Sequence, residues 1–272
     1  MATSLVLSTS VSLTYYGHCA FLWQTPGEVR VLIDPYRNRH DRYRFTRRFP
    51  DVPCDLALIT HAHFDHDATL ELAETVSVLR MPGDFHHRDL HVRGILDQHS
   101  GRFSRGMANV MFRLETAGLR FLHIGDNYVE WPDAVRQAVG EIDILMVTVD
   151  DSCHLLTYPE VDTLIDMVKP RVVIPMRYQI PGLMSDQTTL QTIEEWLVTR
   201  NRVRHLDRSM ISLSPSALPD TPKPGCSSQT LHHLKPSASN PEPPMNLLWP
   251  EDGNRGAVPS RTARFLETSF DV

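Results

Sequence analysis

In the stretch ITHAHFDHDA, residues 59 to 68, three histidines and two aspartates fall within seven positions, directly behind an apolar run. In an extended turn residues i and i+2 point the same way, so His61 and His63 are spaced to converge on one ion. Asp65 and His66 lie a step farther on and are placed to face a second ion. Neutral imidazole and carboxylate are the ligands Zn²⁺ takes, at about 2.0–2.2 Å. Two such ions roughly 3.5–4 Å apart hold a bridging hydroxide and polarise a substrate oxygen. Mixed nitrogen and oxygen ligation also admits Mn²⁺ or iron, and the number of ions, one or two, stays open. A histidine-rich surface loop is the competing reading, but it leaves unexplained why the cluster follows a strand-like apolar run.

Ligands of this kind need strands to hold them. Short β-like runs dominate up to residue 213: VSLTYY, CAFLWQ, VRVLID and DLALIT, then ANVMFRLE, LRFLHIG, IDILMVTV and RVVIPM. Helical periodicity predicts ATLELAETV, WPDAVRQAV, YPEVDTLIDMVK and QTTLQTIEEWLVT as helices, with Pro159 at a first helical position. GEVRVLIDP and AGLRFLHIGD repeat one plan: a turn glycine, a strand, and an aspartate at the strand's end. Two such halves predict two β-sheets packed face to face with helices outside.

Composition sets the frame. An apolar share of 41% suffices for a buried core, and a net charge of -6 argues against a general nucleic-acid binder. Cys19, Cys54, Cys153 and Cys226 are scattered with no CxxC pair, which fits a reducing compartment. The opening MATSLVLSTSVSL lacks the basic region of a secretory signal, and no apolar run reaches membrane-span length. A cytoplasmic protein with no membrane partner is expected. Ten of the twenty prolines fall after residue 213, in a polar stretch with no period of two or 3.6. Residues 214–272 are therefore expected to be a proline-rich, largely disordered tail behind a domain of residues 1–213.

THAHFDHDA resembles the HxHxDH signature of the metallo-β-lactamase fold hydrolases, and the likeness extends over most of residues 11 to 212. Within that superfamily TYYGHCAFLW, VLIDPY, FLHIGDN and KPRVVIPMRY are similar to the L-ascorbate 6-phosphate lactonase-like branch. The resemblance implies an α/β (α+β) fold, a four-layer αββα sandwich of two mixed β-sheets flanked by helices, with metal at one edge between the sheets. It implies that His61, His63 and His99 bind a first ion, that Asp65 and His66 bind a second, and that Asp126 bridges both. Asp65 also takes the catalytic task of orienting the hydroxide. Asp34 of LIDP braces the metal loop without binding the ion. His18 of YYGHCA is expected at the rim beside substrate, and a homo-oligomer is implied by resemblance alone.

The pattern departs at VVIPMRYQ, where the family's second-metal histidine is replaced by Arg177. Arginine stays protonated and has no lone pair for a metal. Either the second ion binds weakly, or the guanidinium takes its place and holds an anionic group of the substrate, or activity is lost. His154 reads as a substitute ligand or a loop residue, and His86, His87 and His91 read as solvated. Residues 37–49, RNRHDRYRFTRRF, carry six arginines that form either a cationic rim for phosphorylated or carboxylated substrates or a solvated basic loop. The expected function is a zinc-type metal-dependent hydrolase using a metal-bound hydroxide on an ester, lactone or phosphoester of a small anionic molecule. Two alternatives accompany it. One is a regulatory metal-binding module recruiting partners through its tail. The other is a nucleic-acid phosphodiesterase working through the arginine loop.

Overall fold

Val11, Leu13 and Tyr15 are buried while Ser12 and Thr14 between them are only partly covered, the period-two signature of a strand with one face on a core. The computed structural model describes residues 10–101, 106–151, 154–186, 188–200, 202–220 and 230–237. Its strands are β1 (Val11–Gly17), β2 (Ala20–Gln24), β3 (Arg30–Ile33), β4 (Leu56–Leu58), β5 (Ser77–Leu79), β6 (Gly83–His87) and β7 (Leu90–Gln98). They continue with β8 (Ala108–Thr116), β9 (Leu119–His123), β10 (Ile144–Thr148), β11 (Val172–Met176), β12 (Val203–Leu206), β13 (Met210–Leu213) and β14 (Thr230–Leu234). The helices are α1 (Asp133–Val139), α2 (Tyr158–Val168) and α3 (Glu194–Val198).

One sheet runs β13-β1-β2-β3-β4-β5 and the other β12-β14-β11-β10-β9-β8-β7-β6. Both are mixed: β1, β2 and β3 are antiparallel and β3, β4 and β5 parallel, while β9, β10 and β11 are parallel and β6 to β9 antiparallel. Trp23 of one sheet meets Phe121 of the other edge to face at 6.0 Å, so aromatic side chains pack the space between the layers. This is the two-sheet sandwich that the resemblance implies. The two runs that repeat one plan are β3 and β9, one in each sheet, and the aspartate after each enters the same cleft.

Helices are few. α2 begins as the sequence predicts, with Thr157 and Glu160 forming a reciprocal capping box and Pro159 in the first turn. ATLELAETV does not form a helix. It makes a single 3₁₀ turn at Thr69–Glu71, leaving Leu70 92% exposed, before the chain straightens into β5 to pair with β4. Nine residues with no partner for their apolar stripe cannot offset the cost of helix nucleation. Among the described residues no helix is long and apolar enough to cross a membrane.

The boundary expected after residue 213 is corrected. β14 lies inside the second sheet, parallel to both β11 and β12, and Leu234 at its end is 1% exposed. The Ser237 N–H donates to the Tyr15 carbonyl at 2.7 Å, and Arg47 Nη2 donates to the Ser237 carbonyl at 3.1 Å. The polar, proline-rich context hides a five-residue strand whose partners are supplied by distant sequence. Residues 238–272 lie outside the described residues. If β14 belongs to the core, Leu234→Ala costs about 2–4 kcal/mol in urea unfolding, the range for emptying a buried leucine site. An unchanged midpoint would mean that the segment is an appendage.

Candidate metal centre

The strands deliver the polar side chains at their ends. His18 follows β1, Asp34 follows β3, the turn His61–His66 follows β4, His99 follows β7, Asp126 follows β9, Asp150 follows β10 and Arg177 follows β11. At four of these ends the backbone is left-handed: His18 at φ 53°, Asp34 at 45°, Gly125 at 59° and Arg177 at 58°. Such turns cost L-residues roughly 1–2 kcal/mol each and cluster where function fixes a side chain. Gly125 has a second reason to be glycine, since a Cβ there would lie 2.7 Å from Thr60 Oγ1. Thr60 in turn joins the layers, its carbonyl accepting from Val110 N–H at 2.8 Å.

One group of these side chains converges. Ligand atoms of His61, His63, His99 and Asp126 all lie within 4.8 Å of one another. His61 Nε2 and His99 Nε2 stand 3.7 and 3.5 Å from Asp126 Oδ2, and among the described residues none of these buried atoms has a hydrogen-bond partner. Buried polar atoms without partners are costly, and a cation among them removes the cost. Three imidazoles and a carboxylate are a donor set that fits a divalent ion.

Asp34 sets the orientation of these ligands. Its Oδ1 accepts from Thr60 N–H at 2.8 Å, and its Oδ2 accepts from Thr60 Oγ1 at 2.7 Å and His66 Nδ1 at 2.9 Å. With its own proton spent on Asp34, Thr60 Oγ1 accepts from His61 Nδ1 at 3.0 Å, which leaves the lone pair on His61 Nε2, facing the cluster. His99 differs. Its Nδ1 accepts from Gly101 N–H at 2.9 Å, so an ion at Nε2 requires the ring to take the other tautomer and give up that bond.

The second group of expected ligands is occupied by cations of the chain itself. Asp65 Oδ2 pairs with Arg44 Nη1, accepts from His18 Nε2 at 3.1 Å and lies 3.6 Å from Arg177 Nη2. Arg177 Nε stands 3.0 Å from Asp126 Oδ1, and Nη1 donates to Asp150 Oδ2 at 3.0 Å. Burial opposes charge on Asp65 and Asp126, yet Arg44 and His18 hold the first, and Arg177 and His66 the second, well below the usual carboxylate range. Burial likewise opposes charge on His66, but Asp126 and Asp34 push it up to about 10. Burial takes His63 down to about 4 and His18 down to about 3, and it holds His61 well below the ordinary range, so these rings are neutral at pH 7.

Several expectations change in consequence. His18 is fully buried against Asp65 instead of lying at the rim, because the Gly17-His18 turn folds back between the sheets. Arg177 is 1% exposed and its guanidinium is spent on carboxylates, so it is not available to grip a substrate. Asp65 engages Arg44, His18 and Arg177 through Oδ2. Asp34 is fully buried and bonds Thr60 and His66 of the histidine turn. His86 and His87 are exposed, and His91 pairs with Asp84 of β6 and Glu115 of β8, apart from the cluster. His154 is partly exposed, and burial lowers it to about 4 in the field of Arg177 and Asp126.

Two site residues escaped the sequence reading. Asp150 ends a strand in TVDDSC just as Asp34 and Asp126 end theirs, and that repeated position was the available signal. Arg44 was hidden among the arginines of residues 37–49. It alone of the six is buried there, with its guanidinium 5.5 Å over the Phe64 ring. The backbone pins it: Ser185 N–H donates to the Arg44 carbonyl at 2.8 Å, and Asn38 bonds both polar groups of the Phe45 backbone.

Asp34→Asn retains the volume but cannot accept from both Thr60 and His66. Metal affinity, read by competition with a chromophoric chelator, is expected to fall 10–100-fold, and an unchanged affinity would remove Asp34 from the ligand-orienting role. The buried histidines also set a pH dependence. In the unfolded chain they take up protons near pH 6.5, whereas folded His63 does so only near 4. The unfolded state therefore binds more protons in that window, and the metal-free protein loses stability as pH falls from 6.5 toward 4. His66, raised instead, holds its full contribution below 6.5 and does not reverse the trend. Urea midpoints at pH 7 and pH 5 measure it, and a higher midpoint at pH 5 would contradict the assignment.

Comparison with known proteins agrees with the geometry. The family model described as "Beta-lactamase superfamily domain" matches residues 12–177. A UPF0173 protein of Pyrococcus abyssi (strain GE5 / Orsay) is 26% identical over 196 residues, covering 63% of this chain and 85% of the relative. A UPF0173 metal-dependent hydrolase of Thermococcus onnurineus (strain NA1) is 27% identical over 206 residues, covering 65% and 88%. In a crystal structure from Thermotoga maritima of a metallo-β-lactamase superfamily protein, the same fold recurs at TM-score 0.60 and 20% identity, over 82% of this chain and 98% of that one. The paired sheets, the histidine-aspartate turn at their shared edge and a family model spanning more than half of the sequence all say the same thing: this chain belongs to the metallo-β-lactamase superfamily.

Proposed function

We propose that the protein is a metal-dependent hydrolase of small molecules, acting on an ester, lactone or phosphoester. The observation that carries this reading is the convergence of His61, His63, His99 and Asp126, with His61 Nε2, His99 Nε2 and Asp126 Oδ2 buried and, among the described residues, without hydrogen-bond partners. An ion held there supplies a Lewis acid and a water whose pKa is lowered to about 7. The chain's own residues do the rest. Thr60 and Asp34 hold the His61 lone pair toward the cluster, and Asp126 presents Oδ2 to it. His63, the one ligand of the four that is not fully buried, marks the side from which substrate enters. The donor set favours Zn²⁺, with Mn²⁺ or iron as alternatives. Relatives named metal-dependent hydrolases support the reaction class.

An anionic substrate is part of the proposal. The arginine loop lies over the metal turn: Arg37 N–H donates to the Phe64 carbonyl at 3.0 Å, and Arg42 sits 5.7 Å over the Phe64 ring. Exposed Arg39, Arg42, Arg47 and Arg48 give this rim a positive face. A lactone rests on the resemblance of the TYYGHCAFLW and KPRVVIPMRY segments to the lactonase-like branch. Unpaired Cys19 and Cys54 suit a reducing cytoplasm.

Chromogenic esters, lactones, phosphomonoesters and phosphodiesters, assayed after chelation and after return of Zn²⁺, Mn²⁺ or Fe²⁺, test the proposal. Turnover of at least one class is expected to vanish with chelator, return with metal, and drop 100-fold or more in His61→Ala, by analogy with the loss of other essential groups. Metal retained with no turnover of any class would instead support a regulatory module.

A further inference from the structure

The superfamily resemblance implies a second ion on Asp65, His66 and Asp126, and this chain's residues do not fit one. Among the described residues Asp65 belongs to neither group of converging ligand atoms; its Oδ2 faces Arg44, His18 and Arg177, with His66 Nε2 4.0 Å away. Asp126 is divided. Its Oδ2 faces the histidines of the first ion, while its Oδ1 lies 3.0 Å from Arg177 Nε. A carboxylate that would bridge two metals thus bridges one metal position and one guanidinium.

We infer that the protein is mononuclear, with the guanidiniums of Arg177 and Arg44 standing where the second ion would bind. The inference rests on the metal reading proposed above and extends it to the second position. Three features of the structure bear it out. Arg177 is locked from both ends, by its own N–H to the His18 carbonyl at 2.9 Å and by Nη1 to Asp150 Oδ2 at 3.0 Å, so it cannot swing away to admit an ion. Arg44 is buried and pinned by the Ser185 and Asn38 contacts described above. Charge agrees: an ion placed beside Asp65 Oδ2 and Asp126 Oδ1 would stand against the fixed guanidiniums of Arg44 and Arg177.

The pairing has a functional meaning. A guanidinium is a permanent charge with directed N–H groups, whereas a second metal exchanges with solvent and demands its own ligands. Arg177 polarises Asp126 from behind and keeps it ionised as a ligand whether or not metal is bound. Arg44 reaches the same place from the substrate-facing loop, so the loop and the metal turn are tied by one ion pair.

The full-length natural chain, stripped with chelator, reloaded with excess Zn²⁺ or Co²⁺ and dialysed, gives the test by elemental analysis and X-ray absorption. One ion per chain with no metal–metal distance is expected. The double variant Arg177→His, Arg44→Gln is expected to hold two. Two ions in the natural chain would overturn the inference while leaving the hydrolase reading intact. If those two come with a sulfur-to-cobalt charge-transfer band that Cys19→Ser abolishes, the second ion lies on His18, Cys19 and His66, the other converging group, which equally overturns it. No ion in the natural chain would overturn both readings. A double variant that folds, by circular dichroism, and still holds one ion would show that the arginines are not what excludes the second.

Discussion

Everything at the site depends on one buried carboxylate behind the histidine cluster. Asp34 collects the backbone and hydroxyl of Thr60 and the ring of His66, and through Thr60 it decides which nitrogen of His61 carries a proton. A donor can be placed within reach of an ion and still be useless if its lone pair points away. The tautomer is set by the hydrogen bond on the far nitrogen, so the ligand set depends on a residue behind it. The same threonine bonds Val110 across the sandwich, which couples the tautomer of a ligand to the packing of the two sheets.

Around that carboxylate the protein gathers an unusual density of buried charge. Four aspartates and two arginines lie between the sheets, all fully or nearly buried. Burying such groups costs several kcal/mol per ion before pairing returns part of it. Pairing here is incomplete on both sides of the cleft: His61 Nε2, His99 Nε2, His66 Nε2, Arg177 Nε and both Asp126 oxygens are buried without a hydrogen-bond partner among the described residues, although Arg177 Nε stands 3.0 Å from Asp126 Oδ1. The left-handed strand ends at His18, Asp34 and Arg177 are part of the same arrangement, since each turns a side chain back into the cleft at a backbone cost that the surrounding sheet maintains.

The sandwich itself explains why such a cluster can be assembled from distant sequence. Parallel strands deliver their C-terminal ends to one edge, and β3, β4, β9, β10 and β11 all end there. Each contributes one short polar turn, so a site of a dozen groups needs no long loop of its own. The exception is the arginine loop of residues 37–49, which lies over the edge and inserts Arg44 from outside.

Sequence by itself determined the strands whose patterns are local, the two-sheet class, and the turn His61–His66; its distant partners His99 and Asp126 were named only through the resemblance to a family. Alternation and short-range spacing are properties of a few neighbouring residues, and the HxHxDH turn is one continuous segment, so both survive reading in one dimension. It did not disclose β14 or the fate of ATLELAETV. A strand in proline-rich surroundings is made by the partners β11 and β12 offer it, and an apolar stripe becomes a helix only where something receives it. Nor did it separate Arg44 from the arginines around it, or reveal that Arg177 faces inward onto aspartates instead of outward onto a substrate. An arginine's role is set by which carboxylates lie within 4 Å of its guanidinium, and that distance exists only once the sheets have closed.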